Sequence, residues 1–188
     1  MTTPGHPNLP DADEPEEIMW QGRFVTARRR GRWEYVSRSR GIRAAVILAV
    51  EDGHVLLVEQ YRVPLGRRSI ELPAGLIGDS DEVAGEDPLV AAARELEEET
   101  GYRAGRMETI GEFWSSPGMV SESFTLVRAS GLEKVGDGGG TPGENITVHR
   151  VPLDGLEAFI AEGRERGCGI DVRILAVLGP GLWQDRAG

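Results

Sequence analysis

The chain has 188 residues, enough for one well-buried core or one core with a small extension. Its net charge of −10 leaves no basic excess to neutralise phosphates, which argues against nucleic-acid binding, and no apolar run is long enough to span a membrane. The N-terminus lacks the basic-then-apolar pattern of a signal peptide and the single cysteine, Cys168, cannot close an internal disulfide, so cytoplasmic residence is the expectation.

Residues 1–17 are rich in Pro, Asp and Glu and should form a poorly ordered tail. Residues 18–40 read as a small β extension, strand-like from Trp20 to Ser39, with a basic turn at Arg28-Arg29-Arg30-Gly31-Arg32. Residues 41–188 form the main domain. Within it, residues 44–50 and 54–58 are strongly β-like and flank Glu51-Asp52-Gly53, a good hairpin turn. Shorter strands are expected at 69–72, 107–113, 123–129 and 145–151, and helices at 153–166 and 170–178. A mixed β-sheet between helices follows, an α/β sandwich.

Before the strand at 107–113 lies a helix dense in glutamate. Asp87 can cap it, Pro88 suits its first position, and Gly101 suits its stop. Leu89, Ala92, Ala93, Leu96 and Thr100 make a narrow stripe for packing on a sheet, and Glu95 and Glu99 stand at its edge, one turn apart, with Glu98 beside them. Like charges at this spacing destabilise a bare helix. A solvated face is the ordinary meaning of such a run. Glutamates beside a packing stripe fit a hard cation such as Mg²⁺ better, and Arg94 can pair with Glu98 one turn on.

Glu86, seven residues, then Arg94-Glu95-Leu96-x-Glu98-Glu99-x-Gly101-Tyr102 resembles the signature of the Nudix hydrolases, which cleave nucleoside diphosphates linked to another moiety. The glycine that opens that signature would fall at Ser80; Gly75, in Leu72-Pro73-Ala74-Gly75, lies eleven residues before Glu86, as if five residues were inserted. The motifs Val58-Glu59-Gln60-Tyr61-Arg62, Glu71-Leu72-Pro73-Ala74-Gly75 and Ser115-Ser116-Pro117-Gly118 resemble the ADP-ribose pyrophosphatase branch. The resemblance implies a Nudix-type α/β/α sandwich and hydrolysis of ADP-ribose to AMP and ribose 5-phosphate, with GDP-mannose or another nucleotide sugar as the alternative substrate. A non-catalytic nucleotide sensor is the contrasting class, and the three intact carboxylates argue against it.

The resemblance also implies roles. Glu95, Glu98, Glu99 and the main-chain carbonyl of Ala74 would hold Mg²⁺, with Mn²⁺ as substitute, and Glu98 is counted among the catalytic groups. Glu86 is either a further ligand or part of the helix cap. Substrate would meet Phe24, Arg40, Arg62, Ser116, Pro117, Gly118 and Glu122; Arg62 serves equally well as an exposed strand-end charge. The run GDGGGTPG ending at Gly143 reads as a mobile lid, and Glu144 after it as the general base, with Asp137 in reserve. Members of this branch are homodimers, and Trp20, Phe24, Trp33 and Tyr35 supply apolar residues with which the extension could reach a second subunit.

Overall fold

The computed structural model describes residues 9–39, 42–77 and 87–179. Strands β1 (Glu16–Gln21), β2 (Val25–Arg30) and β3 (Trp33–Arg38) form a separate antiparallel sheet. β1 begins at Glu16, inside the stretch expected as a tail. Arg28, Arg29 and Arg30 belong to β2 rather than to a turn, because carboxylates face them across the strand pair: Arg28 bonds Glu16, and Arg29 reaches Glu17 at 2.7 Å. This sheet is stitched to the main domain through β3. Val36 donates to the Met119 carbonyl and accepts from Ser121, each at 3.0 Å, and Arg38 pairs with Glu122.

The main domain begins with β4 (Arg43–Glu51) and β5 (His54–Arg62), joined by the expected hairpin turn, with Asp52 and Gly53 at φ 50° and 69°. Only Val50–Val55 and Glu51–His54 pair between them. Beyond those two pairs the strands part, and each acquires its own neighbours. After β6 (Arg67–Glu71), β7 (Ala74–Ile77) pairs back onto β4. Helix α1 (Pro88–Thr100) leads into β8 (Tyr102–Trp114) and β9 (Ser123–Lys134), and β9 runs parallel to β4. β5 lies between β6 and β10 (Thr147–Pro152), both antiparallel to it. Helix α2 (Leu156–Glu165) then leads to the short β11 (Gly169–Ile170), parallel to β6.

The central strand β4 is buried on both faces, as its unbroken apolar run requires. Val46 and Leu48 enter one cluster with Leu57, Ile70 and Leu156 of α2; Ala45, Ile47 and Ala49 enter another with Ala91, Ala92 and Leu96 of α1. One helix therefore covers each face, giving the expected α/β/α sandwich. The segment 170–178 departs from the expected single helix. Ile70 accepts the Asp171 amide, the extended Asp171 then caps with its side chain on the Arg173 amide, and only Val172–Leu178 coil, as a 3-10 helix.

Candidate active site

Local sequence sets the ends of α1. The Asp87 carboxylate accepts the Leu89 amide at 2.8 Å, Pro88 begins the helix, and Gly101 ends it at φ 71° with its amide on the Glu97 carbonyl. The packed face holds Ala91, Ala92, Leu96 and Thr100, and it includes Glu99 itself, 5% exposed. Ala91 takes the buried place expected of Ala93. The Glu99 carboxylate accepts the Ala74 amide at 3.0 Å. Burial, aggravated by the nearby Glu95 and Glu144, nevertheless pushes its pKa up to about 8, because one amide compensates only part of the lost hydration. Burial also raises Glu95, against the pull of Arg94, which bonds it at 2.8 Å. Arg94 reaches Glu98 at 3.4 Å as expected, and Glu98 stays exposed.

The glycine-rich run expected as a mobile lid docks here on the C-terminal end of α1. The last carbonyls of a helix lack partners within it. Here Gly139 donates to the Glu99 carbonyl at 2.8 Å and Gly140 to that of Glu98 at 3.0 Å, while Val135 and Gly136 donate to Gly101. Glycine permits the approach: a β-carbon on Gly138, at φ 69°, would stand 2.4 Å from the Thr100 carbonyl carbon. At its far end the loop is held by Arg68, which donates to the Asn145 carbonyl at 3.3 Å. Glu144 sits between these anchors, with Oε2 accepting the Thr141 amide at 2.6 Å.

Ala74, Glu95, Glu99, Glu144, Arg62 and Glu122 line one cavity of about 850 Å³. Glu98, Ser116, Pro117, Gly118 and Phe24 stand outside that lining. Glu98 is on the same helix but outside the lining, and Ser116 turns the chain, its carbonyl accepting from Met119 and Val120 at 2.9 Å. Pro117 and Gly118 line a second cavity of about 670 Å³ under the N-terminal sheet, with Trp33 and Tyr35. Phe24 is exposed outside both cavities, 5.0 Å below the Arg23 guanidinium. Arg40 and Glu86 lie outside the described residues. Three charged cavity residues had no sequence signal as site residues: Arg38, Asp171 and Arg173. Their partners are remote in sequence or lie in the segment read as a helix.

A profile of the NUDIX domain matches residues 39–166. The chain belongs to the Nudix family. It is 40% identical over 121 residues to a methanol dehydrogenase activator from Bacillus methanolicus, covering 64% of this chain and 63% of that protein. It is 44% identical over 94 residues to an ADP-ribose pyrophosphatase from Mycobacterium tuberculosis, covering 50% of this chain and 44% of that protein. The chain thus spans less than two thirds of the length of either relative. A crystal structure of an ADP compounds hydrolase superposes with a TM-score of 0.65 at 23% identity, covering 89% of this chain and 91% of that one, and shares the fold.

Nudix hydrolases generally use divalent metal ions. Among the described residues of this Nudix chain, no three acidic, histidine or cysteine side chains gather around a single point. The donor set nevertheless fits a hard cation. Its donors are carboxylate oxygens, two of them on buried or half-buried side chains whose pKa is raised, and each neighbours another acid. Positive charge placed there would offset both the burial and the mutual repulsion.

Proposed function

We infer that this Nudix chain hydrolyses the diphosphate bond of ADP-ribose, releasing AMP and ribose 5-phosphate, with Mg²⁺ as cofactor and Mn²⁺ as substitute. The observation that carries the reading is a single cavity in which Glu95, Glu99 and Glu144 stand with Arg62 and Glu122. The similarity to an ADP-ribose pyrophosphatase supports the choice of substrate. Glu95, Glu98, Glu99 and the Ala74 carbonyl would hold the metal, which when bound draws charge from the phosphates and acidifies water. Arg62 would bind phosphate. Glu144 would take the proton as water adds to phosphorus and the bridging P–O bond breaks; among the described residues its Oε1 accepts no hydrogen bond and is open to that proton.

The N-terminal sheet exposes Ile18, Trp20, Phe24 and Trp33, which supports a homodimer in which Phe24 reaches the partner's substrate. No helix among the described residues is long and apolar enough to cross a membrane, and the net charge of −10 disfavours nucleic acid as a partner; a cytoplasmic nucleotide-sugar hydrolase is the reading adopted. A panel of ADP-ribose, GDP-mannose and UDP-glucose assayed with Mg²⁺ tests the reading. AMP release from ADP-ribose should dominate; preferential GMP or UMP release would reassign the substrate, and no release from any member would remove the activity.

A further inference from the structure

Two arginines of the cavity share one buried carboxylate. Glu71, with its side chain 3% exposed, receives Arg62 on both oxygens, at 2.8 and 2.6 Å, and Arg173 reaches the same Oε2 at 3.4 Å. Arg173 is in turn gripped by Asp171, through Nε at 2.7 Å and Nη2 at 2.6 Å, and its guanidinium lies 5.9 Å from the Phe124 ring centre. The series Asp171, Arg173, Glu71, Arg62 alternates in sign along the cavity wall.

Arg62 alone already supplies both oxygens of Glu71 with a donor, so satisfying that carboxylate does not require Arg173. Each guanidinium spends its Nε–Nη2 edge on a protein carboxylate. Among the described residues neither Nη1 donates a hydrogen bond. Half-buried guanidinium hydrogens without acceptors are costly, and two such groups held side by side match the spread oxygens of a diphosphate. The forks fix both side chains in advance, so little rotamer freedom remains to be lost when an anion binds.

We propose that Arg173 is a substrate-binding residue, donating from Nη1 beside Arg62 to the phosphates of a nucleoside diphosphate. This deepens the hydrolase reading above and rests on it. The cavity then has two unlike walls. Glu95, Glu99 and Glu144 bring carboxyl oxygens, the two arginines bring phosphate donors, and a diphosphate held by the arginines would face those carboxyls.

The test is calorimetric titration of the full chain with inorganic pyrophosphate in fixed excess Mg²⁺, for wild type and Arg173→Gln, with adenosine as a phosphate-free control. Loss of a charge-assisted contact should weaken pyrophosphate about ten- to a hundredfold and leave adenosine unchanged. If Arg173→Gln does not fold, Arg173→Lys, which keeps the charge and loses the fork, carries the same measurement. Unchanged pyrophosphate affinity in the folded variant, or a wild type that does not bind pyrophosphate, would overturn the proposal and leave Arg173 as a tether for the 3-10 helix. Arg173-dependent pyrophosphate binding by a wild type that leaves ADP-ribose intact would instead overturn the substrate reading alone.

Discussion

The side chain of Glu95 occupies the space that a β-carbon on residue 75 would need: an ideal Cβ built on Gly75 stands 1.9 Å from the Glu95 carboxyl carbon. The glycine of β7 thus lets a glutamate of α1 lie flat against the strand. Any larger residue there must push that glutamate away, and a side chain can yield where backbone cannot.

Gly75→Ala should therefore cost the site more than the fold. Displacing a proposed metal ligand by about an ångström costs on the order of a hundredfold in rate. We expect kcat for ADP-ribose to fall by that order while the melting temperature moves by only a few degrees, roughly the effect of 1 kcal/mol in a chain of this size. A large loss of Tm with normal turnover of the folded fraction would show that Glu95 does not depend on this glycine.

The raised pKa of Glu99 predicts an inverted pH dependence for the metal-free protein. Its folded pKa, about 8, lies above the ordinary 4.5, so the folded state holds a proton that the unfolded chain releases. This contribution is fully present below about pH 4.5, declines as pH rises, and is lost through pH 8, at up to about 1.4 kcal/mol per unit. In EDTA, the stability difference between wild type and Glu99→Gln should shift in favour of the variant from pH 5 to pH 8. The same substitution, and Glu98→Gln, should lower kcat by orders of magnitude with Tm intact or raised. Denaturant melts at several pH values and turnover at saturating Mg²⁺ check both arms.

Gly138→Ala should release the loop that carries Glu144. The added carbon would meet backbone atoms of Thr100 and Glu99 at 2.4 and 2.6 Å, and φ 69° is costly for any side chain, by about 1–3 kcal/mol. Turnover should fall along with stability. Glu144→Gln gives a contrasting pattern, since its amide oxygen can still accept the Thr141 proton. Turnover should drop while Tm and Mg²⁺ affinity stay near wild type. Equal kcat in Glu144→Gln would shift the base to Asp137 or elsewhere.

Deleting residues 1–40 should give a monomer that binds ADP-ribose severely less well, with α1 still folded. The deletion removes the exposed Trp20, Phe24 and Trp33, and also the Arg38–Glu122 pair at the cavity. Sedimentation and KM measured together decide the matter: a truncated chain that stays dimeric and keeps its KM would make the sheet a simple cover.

What could be read from sequence was what neighbours in sequence determine. Asp87, Pro88 and Gly101 bound their helix because caps act over one turn, and the turn at Asp52-Gly53 was legible for the same reason. The strand Ala74–Ile77 carries too short a pattern to announce itself. The docking of the glycine run has no local signal because its acceptors, the carbonyls of Glu98 and Glu99, lie some forty residues earlier. Arg173 escaped notice because its meaning comes from Glu71, on another strand.

The amides of Gly139 and Gly140 are bonded to the main chain of the two residues that bear the proposed ligands Glu99 and Glu98. Hydrogen exchange at these two glycines consequently reads the contact between loop and helix directly. Their protection should report whether the loop leaves the helix during turnover or whether Glu144 swings alone about the hinge between Gly140 and Asn145, both at positive φ. Glycine amides resonate apart from most others in a nitrogen–proton spectrum, so the protein carries its own pair of spectroscopic labels at the joint where the proposed catalytic arm meets its carboxylate helix.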